Sequence, residues 1–120
     1  MFPFLKKLLG GYDDNTNVSE YINDLIKNNV VVIFSKSYCP YSLKAKKIIS
    51  EYKNKINKLK IIELDKLDNC KMNKIQDYLY KITGSRTVPK IYINKKLIGG
   101  SDDLEKYNKD GKLKKLINFK

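Results

Sequence analysis

Val30-Val31-Val32-Ile33-Phe34-Ser35-Lys36-Ser37-Tyr38-Cys39-Pro40-Tyr41-Ser42 is the stretch whose reading decides the fold. Its first five residues are apolar and mostly β-branched, hence stiff at χ1, and suit a strand covered on both faces. From Tyr41 the period changes. Tyr41, Ala45, Ile48, Ile49 and Tyr52 fall at i, i+4, i+7, i+8 and i+11, the stripe of an amphipathic helix, with Lys44, Lys46, Lys47 and Glu51 on the wet side. Pro40 fits the first helical position, where its missing N–H costs nothing, so Cys39 falls at or just before the cap. There its sulfur meets unpaired backbone N–H groups and the positive end of the helix dipole, and Lys36 adds charge from three residues upstream. A thiol with an ordinary pKa of ~8.5 is lowered in such a setting to between ~3.5 and ~7.5. The competing reading is a buried structural cysteine; the order strand, loop, Cys-Pro, helix favours a reactive one.

A chain of 120 residues makes one domain with a real core and no need of staples. Its two cysteines, Cys39 and Cys70, do not form a disulfide framework, and with no histidine present neither a structural zinc site nor any other metal site is expected. This usage suits a reducing compartment such as the cytoplasm. The 25 basic residues, of which only Arg86 is arginine, against 13 acidic ones give a net charge of +12. That balance permits weak attraction to polyanions. The lysines are nevertheless scattered over the polar faces of every expected helix, without aromatic interleaving, so nucleic-acid binding is not expected as the main function.

The run Phe2-Pro3-Phe4-Leu5-Lys6-Lys7-Leu8-Leu9 is too short to span a membrane, and its lysines interrupt any signal-peptide core. Residues 1–16 are expected to form a loosely held extension, without a targeting signal or a membrane role, and residues 17–120 the domain. From Asn17, a cap with Glu20 three residues on, a first helix carries Val18, Tyr21, Ile22, Leu25 and Ile26 on one face and ends near Asn28-Asn29. A polar connection, Lys53 to Lys58, leads to a second strand at Leu59 to Leu64. The strand-helix-strand order implies a parallel pair. Asp68-Asn69 opens a further helix with Met72, Ile75, Leu79 and Ile82 inward and Gly84 as its stop. Cys70, in its first turn, has no partner motif and reads as incidental. Lys90-Ile91-Tyr92-Ile93 and Lys96-Leu97-Ile98 form a hairpin about Asn94-Lys95. After Gly99-Gly100, Ser101 reads as the cap of a helix that starts with Asp102 and Asp103, and a last short helix after Gly111 uses Leu113, Leu116 and Ile117.

With these elements placed, four segments resemble the glutaredoxin family: Phe34 to Ser42, Ile75-Gln76-Asp77-Tyr78-Leu79, Thr83-Gly84-Ser85-Arg86-Thr87-Val88-Pro89, and Gly99-Gly100-Ser101-Asp102-Asp103. Each alone is weak; four in order and spacing are specific. The resemblance implies an α/β thioredoxin-like fold, a mixed four-stranded sheet flanked by helices on both faces, with the Tyr92 strand antiparallel to the Val30 strand and a cis peptide before Pro89. It also implies glutathione as co-substrate and glutathionylated proteins or small disulfides as partners; a monomer is expected, although the sequence does not itself fix the oligomeric state. Cys39 would be the nucleophile, Lys36 and Gln76 would hold the glycine carboxylate, and Tyr41 would line the groove. Thr87 and Val88, followed by Pro89, would pair through backbone groups with the cysteinyl part. Gly100, Ser101 and Asp102 would receive the γ-glutamyl end.

Ser42 stands where two-thiol members of the family carry a second cysteine, which points to a one-thiol cycle on Cys39. An iron-sulfur cluster bridged between two chains by Cys39 and glutathione is the alternative. It is not favoured, because the other one-thiol branch has Cys-Gly-Phe-Ser and an insertion between its Lys and Cys, whereas here Lys36 and Cys39 are three apart and Pro40 stiffens the loop.

Overall fold

The computed structural model describes residues 17–118. The extension expected over residues 1–16 lies outside them. The chain order is α1 (Val18–Asn28), β1 (Val31–Ser35), α2 (Pro40–Ser50), β2 (Leu59–Glu63), α3 (Asn69–Thr83), β3 (Lys90–Ile93), β4 (Lys96–Gly99), α4 (Ser101–Lys109) and α5 (Lys112–Asn118), with short 3-10 turns at Lys53–Lys55 and Leu64–Lys66. One four-stranded sheet runs β2-β1-β3-β4. β1 pairs parallel with β2 and antiparallel with β3, the mixed sheet expected from the segments above.

β1 is central, and all five of its residues are buried. Alternation along it sends Val31 and Ile33 to one face and Val32 and Phe34 to the other. The first face packs under α2, α4 and α5 through Ala45, Ile49, Leu104, Leu113 and Ile117. The second packs under α1 and α3 through Ile22, Ile75 and Leu79, with Phe34 and Tyr92 edge to face at 6.3 Å between ring centroids. The helix ends follow from their sequences. Asn17 Oδ1 accepts from the amides of Ser19 and Glu20, Asp68 Oδ1 accepts from the amide of Lys71, and Gly84 closes α3 in the left-handed region at φ 80°.

Four local expectations are corrected. Tyr41, counted in the apolar stripe of α2, is 59% exposed, because the stripe meets the core only from Ala45 onward. Ile82 is 43% exposed, and Gln76 takes an inward place on α3 instead. Ile56, in the connection read as polar, is buried under the first face. Ser101 is the first residue of α4, not its cap. The cap is Gly100, whose N–H donates to Asp103 Oδ2 at 3.1 Å, so the residue at the third helical position reaches back to the cap as in half of a capping box.

Candidate active site

The site is assembled where β1 ends and α2 begins. Cys39 is the N-cap of α2 in extended conformation, with Pro40 following as the first helical residue. The loop before it is tied at several points. The Cys39 N–H donates to the Lys36 carbonyl at 3.0 Å, and the Ser37 amide donates to Asp65 Oδ1 at 2.8 Å while the Ser37 hydroxyl donates to Asp65 Oδ2. These bonds hold Asp65 below the usual carboxylate range, the Ser37 hydroxyl being the largest cause. Two residues earlier, at the end of β1, Ser35 Oγ donates to Glu63 Oε1, and Lys46 Nζ donates to Glu63 Oε2, both at 2.7 Å. The Cys39 loop is therefore fastened to β2, the turn after it, and α2.

Partial burial pushes the Cys39 thiol up. That effect is outweighed by the backbone N–H and the hydroxyl of Ser42, the backbone N–H of Tyr41 and the charge of Lys36, so the thiol titrates below its ordinary value. Ser42 is fully buried, and its Oγ accepts from the Lys36 N–H at 3.3 Å. Its hydroxyl proton is then free to point at the sulfur. Cys70 is exposed near the start of α3, and no group of three or more His, Cys, Asp or Glu residues that could hold a metal exists among the described residues.

Two residues beyond Cys39, Tyr41 begins a groove of about 300 Å³ lined also by Thr87, Val88, Pro89, Gly100, Ser101, Asp102 and Asp103. Seven of the ten residues named from the sequence thus line one groove. Lys36 and Gln76 do not line it. Lys36 acts on the Cys39 sulfur through its charge, and Gln76, 7% exposed, reaches the Arg86 carbonyl at 3.5 Å from beneath the segment 85–88. The Val88-Pro89 peptide is cis. The two backbone groups of Thr87 are spent within the protein: its N–H donates to Ser85 Oγ at 3.3 Å and its carbonyl accepts from Lys90 Nζ at 2.6 Å. Val88 N–H and C=O make no hydrogen bond among the described residues.

Three further residues, to which the sequence alone assigns no role in the site, shape it. Lys44 Nζ lies 3.5 Å from Asp102 and 3.0 Å from Glu105, bracing the start of α4 from α2. Gly99, at φ 122°, approaches Asp103 so closely that a Cβ would stand 2.2 Å from Oδ2, which makes Gly99 rather than Gly100 the obligatory glycine. Lys90 is 4% exposed at the start of β3, and burial lowers its pKa.

Comparison with known proteins gives one consistent result. Residues 31–98 match the family model described as Glutaredoxin. The chain is 44% identical over 108 residues to mitochondrial glutaredoxin-2 of Mus musculus, covering 90% of this chain and 65% of that protein. It is 42% identical over 98 residues to glutaredoxin-1 of Saccharomyces cerevisiae, covering 82% of this chain and 88% of that one. The crystal structure of a buckwheat glutaredoxin-glutathione complex superposes with a TM-score of 0.71 at 32% identity, over 83% of this chain and 86% of that chain. The chain spans between 56% and 65% of the length of four mammalian glutaredoxin-2 proteins that it matches.

Proposed function

The chain belongs to the glutaredoxin family, and from that premise we propose that it is a glutathione-dependent thiol-disulfide oxidoreductase that reduces glutathione mixed disulfides through Cys39 alone. The observation that carries this reading is the placement of a thiol of lowered pKa at the cap of α2, two residues from the groove that runs from Tyr41 to Asp102.

The cycle has two exchanges. Cys39 thiolate attacks the glutathionyl sulfur of a mixed disulfide; the substrate sulfur leaves as a thiolate and takes a proton from water, and a Cys39-glutathione disulfide remains. The thiolate of a second glutathione then attacks the glutathionyl sulfur of that adduct, releasing oxidised glutathione and regenerating Cys39 thiolate. The net change is one mixed disulfide and one glutathione to one thiol and one glutathione disulfide. Ser42 offers no sulfur to intercept the adduct, so each turn moves a single glutathione.

Binding aligns the three sulfurs. The Val88 backbone pairs with the cysteinyl part of glutathione as a short added strand. The first-turn amides of α4 with Ser101 receive the γ-glutamyl carboxylate, and Asp102 receives its amine. Lys36 and Gln76 hold the glycine carboxylate at the other end. Orientation of this kind supplies the rate, while the lowered pKa raises the share of Cys39 present as thiolate. The test is to mix the protein with a small glutathione mixed disulfide, withhold free glutathione, and weigh it. A mass increase of one glutathionyl group confined to Cys39, lost on adding glutathione, is expected. An adduct that forms only on Cys70 defeats the reading.

A further inference from the structure

Lys90 occupies a position where a central strand ordinarily buries an apolar residue. Its register partner on β1 is Phe34, so both side chains stand on the face covered by α1 and α3. It is 4% exposed and has no carboxylate partner among the described residues. Among the described residues its side chain makes one hydrogen bond, the donation from Nζ to the Thr87 carbonyl at 2.6 Å. Burying an ammonium against a single backbone acceptor is costly, and a lysine at the start of a strand could have snorkelled to water instead.

The carbonyl it holds belongs to the same peptide unit as Val88 N–H. That unit is trans, the cis bond being the next one, so its N–H points opposite to its C=O. With the carbonyl drawn toward Lys90 beneath the segment 85–88, Val88 N–H is turned away from it, and Val88 also lines the 300 Å³ groove. A charged donor on the carbonyl withdraws electron density through the amide and makes its N–H a stronger donor. Thr87 N–H is already engaged by Ser85 Oγ, which leaves Val88 as the residue of this segment with both backbone groups open.

We propose that Lys90 is a positioning residue for glutathione: by holding the Thr87 carbonyl it orients the Thr87-Val88 peptide and strengthens the Val88 N–H that receives the cysteinyl carbonyl of the bound tripeptide. This deepens the function proposed above and rests on it. Lys90 touches neither the reacting sulfurs nor the tripeptide, and acts through one peptide plane.

The experiment uses the full chain with Lys90→Met, which keeps the apolar stem and removes the donor, and Lys90→Arg, which restores a charged donor. The first readout is the Val88 amide proton in the ligand-free protein. It is expected to move upfield in Lys90→Met, as a weaker donor does, and to stay near its wild-type position in Lys90→Arg. The second is the KM for a small glutathione mixed disulfide, expected to rise between roughly threefold and tenfold in Lys90→Met with kcat within about twofold, the scale of losing the neutral hydrogen bond that Val88 N–H makes to the tripeptide. Lys90→Arg should recover most of the change. A Val88 amide and a KM that both stay at wild-type values in Lys90→Met overturn the proposal, as does a KM raised equally by both substitutions, which is the mark of packing alone. Should Lys90→Met fail to fold, Lys90→Gln, too short to reach with a charge, is held to the same expectation as Lys90→Met. If the wild-type protein neither binds nor turns over glutathione substrates, the function fails by itself, and the ligand-free amide shift still decides whether Lys90 orients this peptide.

Discussion

At Cys39 several small effects oppose one large one. Burial favours the neutral thiol, and the amides of Ser42 and Tyr41, the Ser42 hydroxyl and the Lys36 charge together reverse it. The alkylation rate of Cys39 should accordingly reach half its maximum at a lower pH in the folded protein than in the denatured chain. Since the Ser42 hydroxyl outweighs Lys36 among the lowering causes, Ser42→Ala should raise that midpoint further than Lys36→Ala. Equal or reversed effects would mean that charge, not hydrogen bonding, ionises the thiol. The setting of Cys39 is legible in the sequence, because Pro40 marks a helix start and the apolar run ahead of it marks a strand, both local signals. That of Lys90 is not. In Lys90-Ile91-Tyr92-Ile93 nothing distinguishes a buried lysine from a wet one, since its burial comes from the way the preceding segment 85–88 folds back over it and from Gln76 and Leu79 of α3, which are distant in sequence.

Among the elements, the loop before α2 and the start of α4 set the shape of the groove. Asp65 fastens the first. Its pKa is depressed in the fold, so the native state binds fewer protons there than the unfolded chain, and the stabilisation is complete above the ordinary value of ~3.9 and is lost as pH falls through the lower native value. The protection of the Ser37 amide, its exchange rate relative to an unprotected amide at the same pH, should therefore be lost on acidification through that window, and in Asp65→Asn that protection should already be low at neutral pH. Slow exchange in Asp65→Asn would show that the loop is held by other contacts. Gly99 governs the second element. Gly99→Ala meets both a positive φ and Asp103, and should unseat the start of α4 and lower the affinity for glutathione, whereas Gly100→Ala, whose Cβ would sit 3.7 Å from the Pro89 carbonyl, should be tolerated. A pair of adjacent glycines announces a turn but not which of them takes the left-handed conformation. The same ambiguity moves the cap from Ser101 to Gly100, because the reach of Asp103 back to Gly100 depends on how the chain leaves β4.

For the molecule as a whole, the burial of β1 on both faces is readable from its unbroken apolar run, whereas the four-stranded sheet around it is expected from the family resemblance. Pairings between distant elements are not readable in this way: Lys44 with Asp102, and Ser37 with Asp65, join residues that no local pattern links. Phe34 joins strand and helices on the second face, fully buried and edge to face with Tyr92, so Phe34→Ala should lower stability by about 3–5 kcal/mol in denaturant unfolding. A loss under ~1 kcal/mol would mean that this face collapses around the gap. The net charge of +12 should accelerate encounters with anionic glutathione disulfides, with kcat/KM falling as salt rises. All of this serves one thiol. The most direct measurement is the glutathione-dependent turnover of a small glutathione mixed disulfide by the wild-type chain, Cys39→Ser and Cys70→Ser. Turnover by the wild type and Cys70→Ser, and none above background by Cys39→Ser, is the predicted result; activity that survives in Cys39→Ser would contradict the central role of that thiol.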